Sequence, residues 1–175
     1  KTTASKILAK KRGPLFSADS AVKDLYRNPH FKSLVSKTFK IKNNKKIKSS
    51  LKKIILNNKK NIRSLENIIH PLVRKKMKNF SSIHKRKKFI FYEIPLLVES
   101  KLMKFFNVII FIKANRKIRL KRFKSKLGDE KLFKLLDNKQ FPDKKKIKIC
   151  DHVVVNEKNL KILKKRLSAI MRNYE

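Results

Sequence analysis

Residues Phe89–Ser100, FIFYEIPLLVES, decide how this chain is interpreted. The stretch opens with an apolar and aromatic run, Phe89–Tyr92, which lacks the strict alternation of a half-exposed strand. Such a run is typical of a strand that is covered on both faces in a parallel sheet. Pro95 must end that strand, because proline has no N–H to donate to a ladder. Glu99 therefore follows the carboxyl end of a buried strand, where open α/β sheets bind their ligands.

Composition indicates one globular domain of an intracellular type. The chain has 175 residues, of which 41% are hydrophobic, enough for one core and a small additional lobe. Its single cysteine, Cys150, excludes an internal disulfide and favours a reducing, cytoplasmic location. Its apolar runs fall short of the roughly 18 residues that a membrane span needs. Residues Lys1–Lys11 lack the apolar core of a signal peptide.

The net charge of +38 would ordinarily indicate a nucleic-acid partner. The basic residues are spread from Lys1 to Arg172, however, and they accompany many Asn, Ile and Phe residues, whose codons are also A/T-rich. A biased genome would produce this composition whatever the function. The net charge alone is therefore not evidence for a nucleic-acid partner, and we predict that the protein has none.

Apolar segments that alternate with helical patterns predict a parallel α/β fold. Beside Phe89–Tyr92, strands are expected at Leu15–Phe16, at residues 107–112 and at Val153–Asn156. Between them the spacing predicts helices, including one over Val98–Phe105 and a C-terminal amphipathic helix that packs on the sheet.

Further helices are predicted on both sides of the Phe89 strand. A helix with Ile62 and Leu65 inward is expected to stop at His70-Pro71, and Pro71 then fits the first position of a new helix. On this pattern His70 is a helix-boundary residue. Another helix, Gly128–Gln140, is expected to turn Leu132, Leu135 and Leu136 inward.

Three charged or polar sites carry possible chemistry, each with a simpler structural explanation. Lys1-Thr2 matches the end of the phosphate-binding pattern G-x-x-x-x-G-K-[ST], but K-T alone is weak, and an ordinary terminal lysine stays open. Asp19 either presents a carboxylate at the sheet edge or is the N-cap of a helix from Ser20 to Tyr26. Arg122 lies near the end of a very basic predicted helix, Lys113–Lys126, which is either a solvated face or the start of a mobile lid.

Five segments in order resemble the dephospho-coenzyme A kinase family over nearly the whole chain. They are K-T-T at Lys1–Thr3, F-S-A-D at Phe16–Asp19, L-E-N-I-I-H-P-L-V-R at Leu65–Arg74, P-L-L-V-E at Pro95–Glu99, and C-D-H-V-V-V-N at Cys150–Asn156. Lys121-Arg122 and Gln140 fall in the order of the family's lid.

The resemblance implies a P-loop NTPase-like parallel sheet with helices on both faces, and ATP-dependent phosphorylation of the ribose 3′-hydroxyl of dephospho-coenzyme A. Lys1 would bridge the β and γ phosphates, Thr2 would coordinate Mg²⁺, and Thr3 would belong to the ATP site. Asp19 would accept or orient the hydroxyl proton. Arg122 would close on the phosphates from the lid, with a planar fork that lysine lacks.

The resemblance also divides the single kinase domain, residues 1–175. Residues 28–80 would form a helical substrate lobe, and residues 114–147 would form the lid region. The candidates for contact with dephospho-coenzyme A are Lys23, Lys48, His70 and Glu99.

The sequence departs from the family at three places. Ser17 replaces the first carboxylate of the family's D-A-D segment, and the usual R-D of the lid is replaced around Lys126. The first strand and the glycine loop precede K-T-T in the family and are missing here. The chain is accordingly predicted to be N-terminally truncated, inactive and poorly stable alone, since losing that strand exposes two strand edges and removes the N–H cradle.

Three other interpretations stay open. Another P-loop kinase, acting on nucleotides, would share the architecture. A basic nucleic-acid-binding module would bind with a steep salt dependence, although an aromatic stacking stripe is lacking. A non-catalytic remnant would not turn over.

Overall fold

The structure is a computed structural model, and it describes residues 1–42, 47–58, 60–127 and 129–175, without the side chains of Lys126 and Leu127. The four predicted strands are present in the predicted order, with helices between them. In chain order the elements are α1 (Thr2–Ala9), β1 (Leu15–Ser17), α2 (Ala18–Leu25), α3 (Pro29–Phe39), α4 (Ile47–Asn57), α5 (Lys60–Ile83), β2 (Phe91–Glu93), a 3-10 helix (Met103–Phe105), β3 (Ile110–Lys113), α6 (Arg116–Leu127), α7 (Glu130–Asp137), α8 (Asp143–Ile147), β4 (His152–Val155) and α9 (Leu160–Met171).

The chain divides into two compact units. The first combines Lys1–Leu15 with Glu93–Glu175, and the second is Phe16–Tyr92. The predicted substrate lobe, residues 28–80, belongs to the second unit, and the predicted lid, residues 114–147, belongs to the first. Parts of both predictions, residues 43–46, 59 and 128, lie outside the described residues. The functional roles of lobe and lid stay predictions.

The strands within the described residues form two two-stranded sheets. Strand β3 pairs with β4 in parallel, with Ile110 opposite His152 and Lys113 opposite Val155. Helices α6 to α8 make the connection between them, as a parallel pair requires. Strand β1 pairs with β2 in the other sheet. The predicted parallel pairing is therefore confirmed for β3 and β4.

The first unit is closed by α9, which contacts both α1 and β4. Leu163, Leu167 and Met171 recur at helical spacing on α9 and are buried, as are Ala4 and Leu8 on α1. The predicted C-terminal amphipathic helix is confirmed. The predicted inward side of α7 is partly wrong, because Phe133 is the buried residue of that helix and Leu136 is 42% exposed.

The second unit has a helical core centred on α3 and α4. Its buried members come from α2, α3 and α4: Leu25, Phe31, Val35, Ile47 and Leu51. One face of α5 packs against this cluster through Leu65, Ile68, Ile69, Leu72 and Val73. These residues lie on both sides of Pro71.

The predicted break at His70-Pro71 is wrong, because α5 runs from Lys60 to Ile83 with Pro71 inside it. An interior proline removes one helical hydrogen bond and costs about 3 kcal/mol. The apolar face of α5 continues through the proline, and its burial offsets that cost. His70 is therefore a mid-helix residue.

The predicted helix over Val98–Phe105 is also wrong. Residues 95–101 form turns, and only Met103–Phe105 is a 3-10 helix. Lys101 has a left-handed backbone, with φ of 55°, which ends any right-handed helix at that residue. The Ser100 hydroxyl donates to the Leu96 carbonyl at 2.6 Å and thereby stabilises the turn.

Candidate active site

Thr2 and Glu93 form the best-defined polar contact among the predicted phosphate-binding residues. The Thr2 hydroxyl, in the first turn of α1, donates to Glu93 Oε1 at 2.6 Å. Glu93 is the last residue of β2 and is 5% exposed. A bond this short is typical of a hydroxyl that donates to a charged carboxylate. The contact joins the start of α1 to the carboxyl end of β2.

Ser5 gives the same carboxylate a second partner. Its hydroxyl lies 3.3 Å from Glu93 Oε2 and 3.0 Å from the Thr2 carbonyl. Ser5 is 9% exposed. Each Glu93 oxygen thus faces a hydroxyl on α1, which fixes the plane of the carboxylate.

Lys1 lies next to this group. Its ammonium group donates to the Pro95 carbonyl at 3.2 Å, while its own carbonyl accepts from the Ser5 N–H. The side chain of Lys1 is exposed, as is that of Thr3. The structure therefore brings Lys1 and Thr2 together with the end of β2 and the loop after it.

Glu93 is absent from the candidates that the sequence predicts. A signal for it exists, because it is the acidic residue that ends an apolar run, two positions before Pro95. The sequence predicts a strand that ends before Pro95, as β2 does at Glu93, but it favours Glu99 as the carboxylate that follows this strand. Position within the strand distinguishes them, since only Glu93 belongs to β2.

Asp19 lies in the first turn of α2 and is exposed. The alternative that Asp19 caps this helix is wrong, because the cap is Ser17, whose hydroxyl accepts from the Ser20 N–H at 3.4 Å. A carboxylate in the first turn is favoured by the partial positive charge at that end of a helix. Ser17, which stands where the family has a carboxylate, has a structural role as the cap of α2.

Arg122 projects from α6 and is exposed. Its guanidinium donates to the Asn156 carbonyl at 3.0 Å, directly after β4. Arg166 of α9 donates to the neighbouring Val155 carbonyl at 2.5 Å. Two guanidinium groups thus lie at the carboxyl end of β4.

Helices α6 and α7 of the predicted lid are held together by ion pairs. Asp137, with a side chain that is 11% exposed, accepts from Arg119 at 2.6 Å and from Arg116 at 3.1 Å. At the other end of these two helices, Glu130 Oε2 lies 2.6 Å from the Lys124 ammonium. The side chain of Lys126, a predicted departure from the family, lies outside the described residues.

The second unit holds three of the predicted substrate contacts. Lys23 is exposed on α2, and His70 is half-buried on α5. Lys48 is exposed on α4, with its ammonium 5.2 Å from the centre of the Tyr26 ring. Burial raises the pKa of the Tyr26 hydroxyl.

Glu99, the fourth predicted substrate contact, takes part in a buried ion pair of the first unit. Its Oε1 lies 2.9 Å from the Lys146 ammonium and 2.8 Å from the Phe141 N–H. Burial alone would raise the pKa of Glu99, but the hydrogen bonds from Lys146 and from the backbone N–H groups of Glu99 and Phe141 outweigh it and lower the pKa. Glu99 is therefore an ionised internal acceptor.

The described residues contain neither a cluster of metal ligands nor a helix that could span a membrane. Within residues 1–42, 47–58, 60–127 and 129–175, His, Cys, Asp and Glu form no group of three or more that could hold a metal ion. The helices of this same part of the chain include none that is long and apolar enough to span a membrane.

Comparison with known proteins decides the family. A family model described as dephospho-CoA kinase matches residues 1–161. The chain belongs to the dephospho-CoA kinase family. The family member from Bartonella quintana is 33% identical to it over 99% of this chain and 91% of its own length. The member from Fusobacterium nucleatum is 32% identical over 95% and 89%.

Solved structures confirm the fold of this family member. The dephospho-CoA kinase from Campylobacter jejuni superposes with a TM-score of 0.66 at 25% identity, over 98% of this chain and 90% of that one. The protein TT1252 from Thermus thermophilus superposes with a TM-score of 0.78 at 20% identity, over 99% and 91%. The predicted P-loop NTPase-like architecture is therefore confirmed.

Proposed function

We propose that this protein phosphorylates the ribose 3′-hydroxyl of dephospho-coenzyme A with ATP, giving coenzyme A and ADP, the last step of coenzyme A biosynthesis. The observation that carries the proposal is the family match over residues 1–161. The Lys1–Thr2–Glu93 arrangement supports it, because it joins a lysine, a hydroxyl and a carboxylate at the end of a strand. These are the parts that P-loop kinases use around their phosphates.

Thr2 and Glu93 fit a magnesium site in donor chemistry. Mg²⁺ prefers oxygen ligands, and P-loop enzymes hold it through a loop Ser or Thr and a strand-end carboxylate. When bound, Mg²⁺ would supply positive charge that neutralises the negative charge developing on the phosphates during transfer. Thr2 would supply its oxygen to the ion, and Glu93 would orient that oxygen by accepting a hydrogen bond from the Thr2 hydroxyl, with 2.6 Å between the two oxygens.

Lys1 and Arg122 supply cations for the transferred phosphoryl group in this proposal. Lys1 would exchange the Pro95 carbonyl for phosphate oxygens, and Thr3 would adjoin the same site. Arg122 would exchange the Asn156 carbonyl for the phosphates, offering a fork of donors. Both cations now bind neutral carbonyl groups, which a charged phosphate can displace.

Asp19 would act on the acceptor. Its carboxylate would accept a hydrogen bond from the ribose 3′-hydroxyl and take its proton as the oxygen attacks the γ phosphorus. This role needs hydrogen-bond reach more than a shifted pKa. Lys23, Lys48 and His70 of the second unit are proposed to bind the rest of dephospho-coenzyme A. A cytoplasmic location is part of the same proposal.

An ADP-release assay on protein expressed from the complete gene tests the function. We expect turnover that requires both ATP and dephospho-coenzyme A, and much slower turnover with nucleoside monophosphates as acceptors. Preference for a nucleoside monophosphate would instead identify a different P-loop kinase.

Two variants with matched controls test the roles. Asp19→Asn and Arg122→Ala are each expected to lower kcat by about 100-fold or more. Asp24→Asn, an exposed carboxylate of the same helix α2, and Lys121→Ala, beside Arg122, are expected to retain activity within about twofold. If both active-site variants kept full rate, the role assignment would be wrong even with the family correct.

A further inference from the structure

The Glu99–Lys146 ion pair is the most deeply buried ion pair in the described part of the first unit. The Glu99 and Lys146 side chains are 10% and 6% exposed. The Lys146 ammonium also donates to Gln140 Oε1 at 3.0 Å and lies 5.7 Å from the centre of the Phe111 ring on β3. Glu99, Gln140, Phe141 and Lys146 thus form one connected network.

The network connects two functional segments of the first unit. Glu99 belongs to the loop after β2, four residues beyond Pro95, whose carbonyl accepts from Lys1. Residues 140–146 follow α6 and α7 at the carboxyl end of the predicted lid, residues 114–147. The pair therefore attaches the carboxyl end of the lid segment to the loop that contacts the phosphate-binding lysine.

Burial favours this internal role of Glu99 over direct contact with substrate. Its Oε1 already accepts from Lys146 and Phe141, and its Oε2 is buried. A substrate group could reach either oxygen only after the network opened.

A buried ion pair is also an inefficient way to gain stability alone. Desolvation of both charges cancels much of their attraction, so that a well-packed apolar pair is often as stable. Apolar residues make no directed hydrogen bonds. A buried ion pair is therefore suited to holding two particular segments in one arrangement.

We propose that Glu99 and Lys146 are positioning residues for phosphoryl transfer, which fix the base of the lid, residues 140–146, to the loop after β2. The lid then closes from a defined origin, and Arg122 reaches the phosphates in one geometry. The proposal rests on the proposed kinase function. It adds a role for Lys146 and replaces substrate contact by Glu99 with anchoring.

Steady-state kinetics of four variants test the proposal. Glu99→Gln and Lys146→Met each break the pair, the double variant removes both charges, and Lys144→Met is the control on an exposed position of the same helix α8. Each single variant is expected to lower kcat about 10- to 100-fold, with KM for dephospho-coenzyme A changed less than threefold. ATP hydrolysis without acceptor is expected to rise, because a misplaced lid excludes water poorly.

The double variant separates positioning from stabilisation. We expect its thermal midpoint to return close to that of the wild type while kcat stays at least 10-fold low, because the anchor is still missing. Recovery of kcat together with the midpoint would overturn the proposal and leave a structural role only. A 10-fold rise in KM for dephospho-coenzyme A in Glu99→Gln, with Lys146→Met unaffected, would also overturn it and identify a substrate contact.

Hydrogen exchange tests the anchor without turnover. Amides of residues 140–146 are expected to exchange at least 10-fold faster in Lys146→Met than in the wild type or Lys144→Met. Unchanged exchange would refute the anchor even in an active enzyme. If the wild type lacked kinase activity but showed this difference, the proposed function would fail while the anchoring would stand.

Discussion

Replacement of Glu93 by glutamine should weaken magnesium binding at the site while leaving the protein folded. The substitution keeps the size of the side chain and one carbonyl acceptor. It removes the charge of the carboxylate whose Oε1 accepts a hydrogen bond from the Thr2 hydroxyl, with 2.6 Å between the two oxygens. A hydrogen bond to a charged acceptor contributes about 1.5–3 kcal/mol, against about 0.5–1.5 kcal/mol for a neutral one. The difference of about 1.4 kcal/mol corresponds to a factor of about 10 in affinity.

We therefore expect Glu93→Gln to raise the half-saturating Mg²⁺ concentration about 10- to 100-fold, the range typical for partners of metal ligands. The assay is ADP release over a Mg²⁺ titration at saturating ATP and dephospho-coenzyme A. Ser5→Ala, which removes the longer 3.3 Å contact, should give a smaller shift in the same direction. Asp24→Asn controls for the loss of one carboxylate.

Stability distinguishes this effect from misfolding. The lost hydrogen-bond energy of about 1.4 kcal/mol should lower the thermal midpoint of Glu93→Gln by no more than about 3–6 °C, so the protein stays folded in the assay. An unchanged Mg²⁺ titration in a folded Glu93→Gln protein would refute the reasoning. The magnesium role would then not belong to the Thr2–Glu93 pair.

Two other predictions concern stability. Asp137→Asn should lower the free energy of unfolding by about 2 kcal/mol, because it removes the charge that pairs with the half-buried Arg119. The pair with the more exposed Arg116 contributes little. Urea unfolding measures the loss, and a value below about 0.5 kcal/mol would contradict the prediction. The pKa of Glu99 is lowered from its ordinary value of 4.5, so its contribution to stability is complete above pH 4.5 and is lost as the pH falls further. Wild type and Glu99→Gln should accordingly converge in urea midpoint between pH 7 and pH 3, and a constant difference would contradict the assignment.

Local patterns predicted those elements that have a strong apolar signature of their own. The run at residues 107–112 became β3, and the periodic residues Leu163, Leu167 and Met171 became the buried side of α9. The family could also be predicted from the sequence, because short motifs such as P-L-L-V-E occur in the expected order.

Tertiary packing overrode the local rules elsewhere. Pro71 has the properties of a helix start, yet the buried face of α5 continues on both sides of it. Lys101 carries no sequence mark of its left-handed backbone, which ended a predicted helix. Pairing was equally hidden, because Glu99 and Lys146 are far apart in sequence and only the fold shows that they meet.

The buried carboxylates have a consequence for the rest of the surface. The chain has 12 Asp and Glu residues against 50 Lys and Arg, and Glu93, Glu99 and Asp137 are among the acids already engaged inside the fold. Most surface lysines must therefore draw their compensating charge from dissolved anions. At physiological ionic strength repulsion beyond about 8 Å is screened. Dissolved salt therefore supplies the negative charge that the sequence, with its few acidic residues, does not provide.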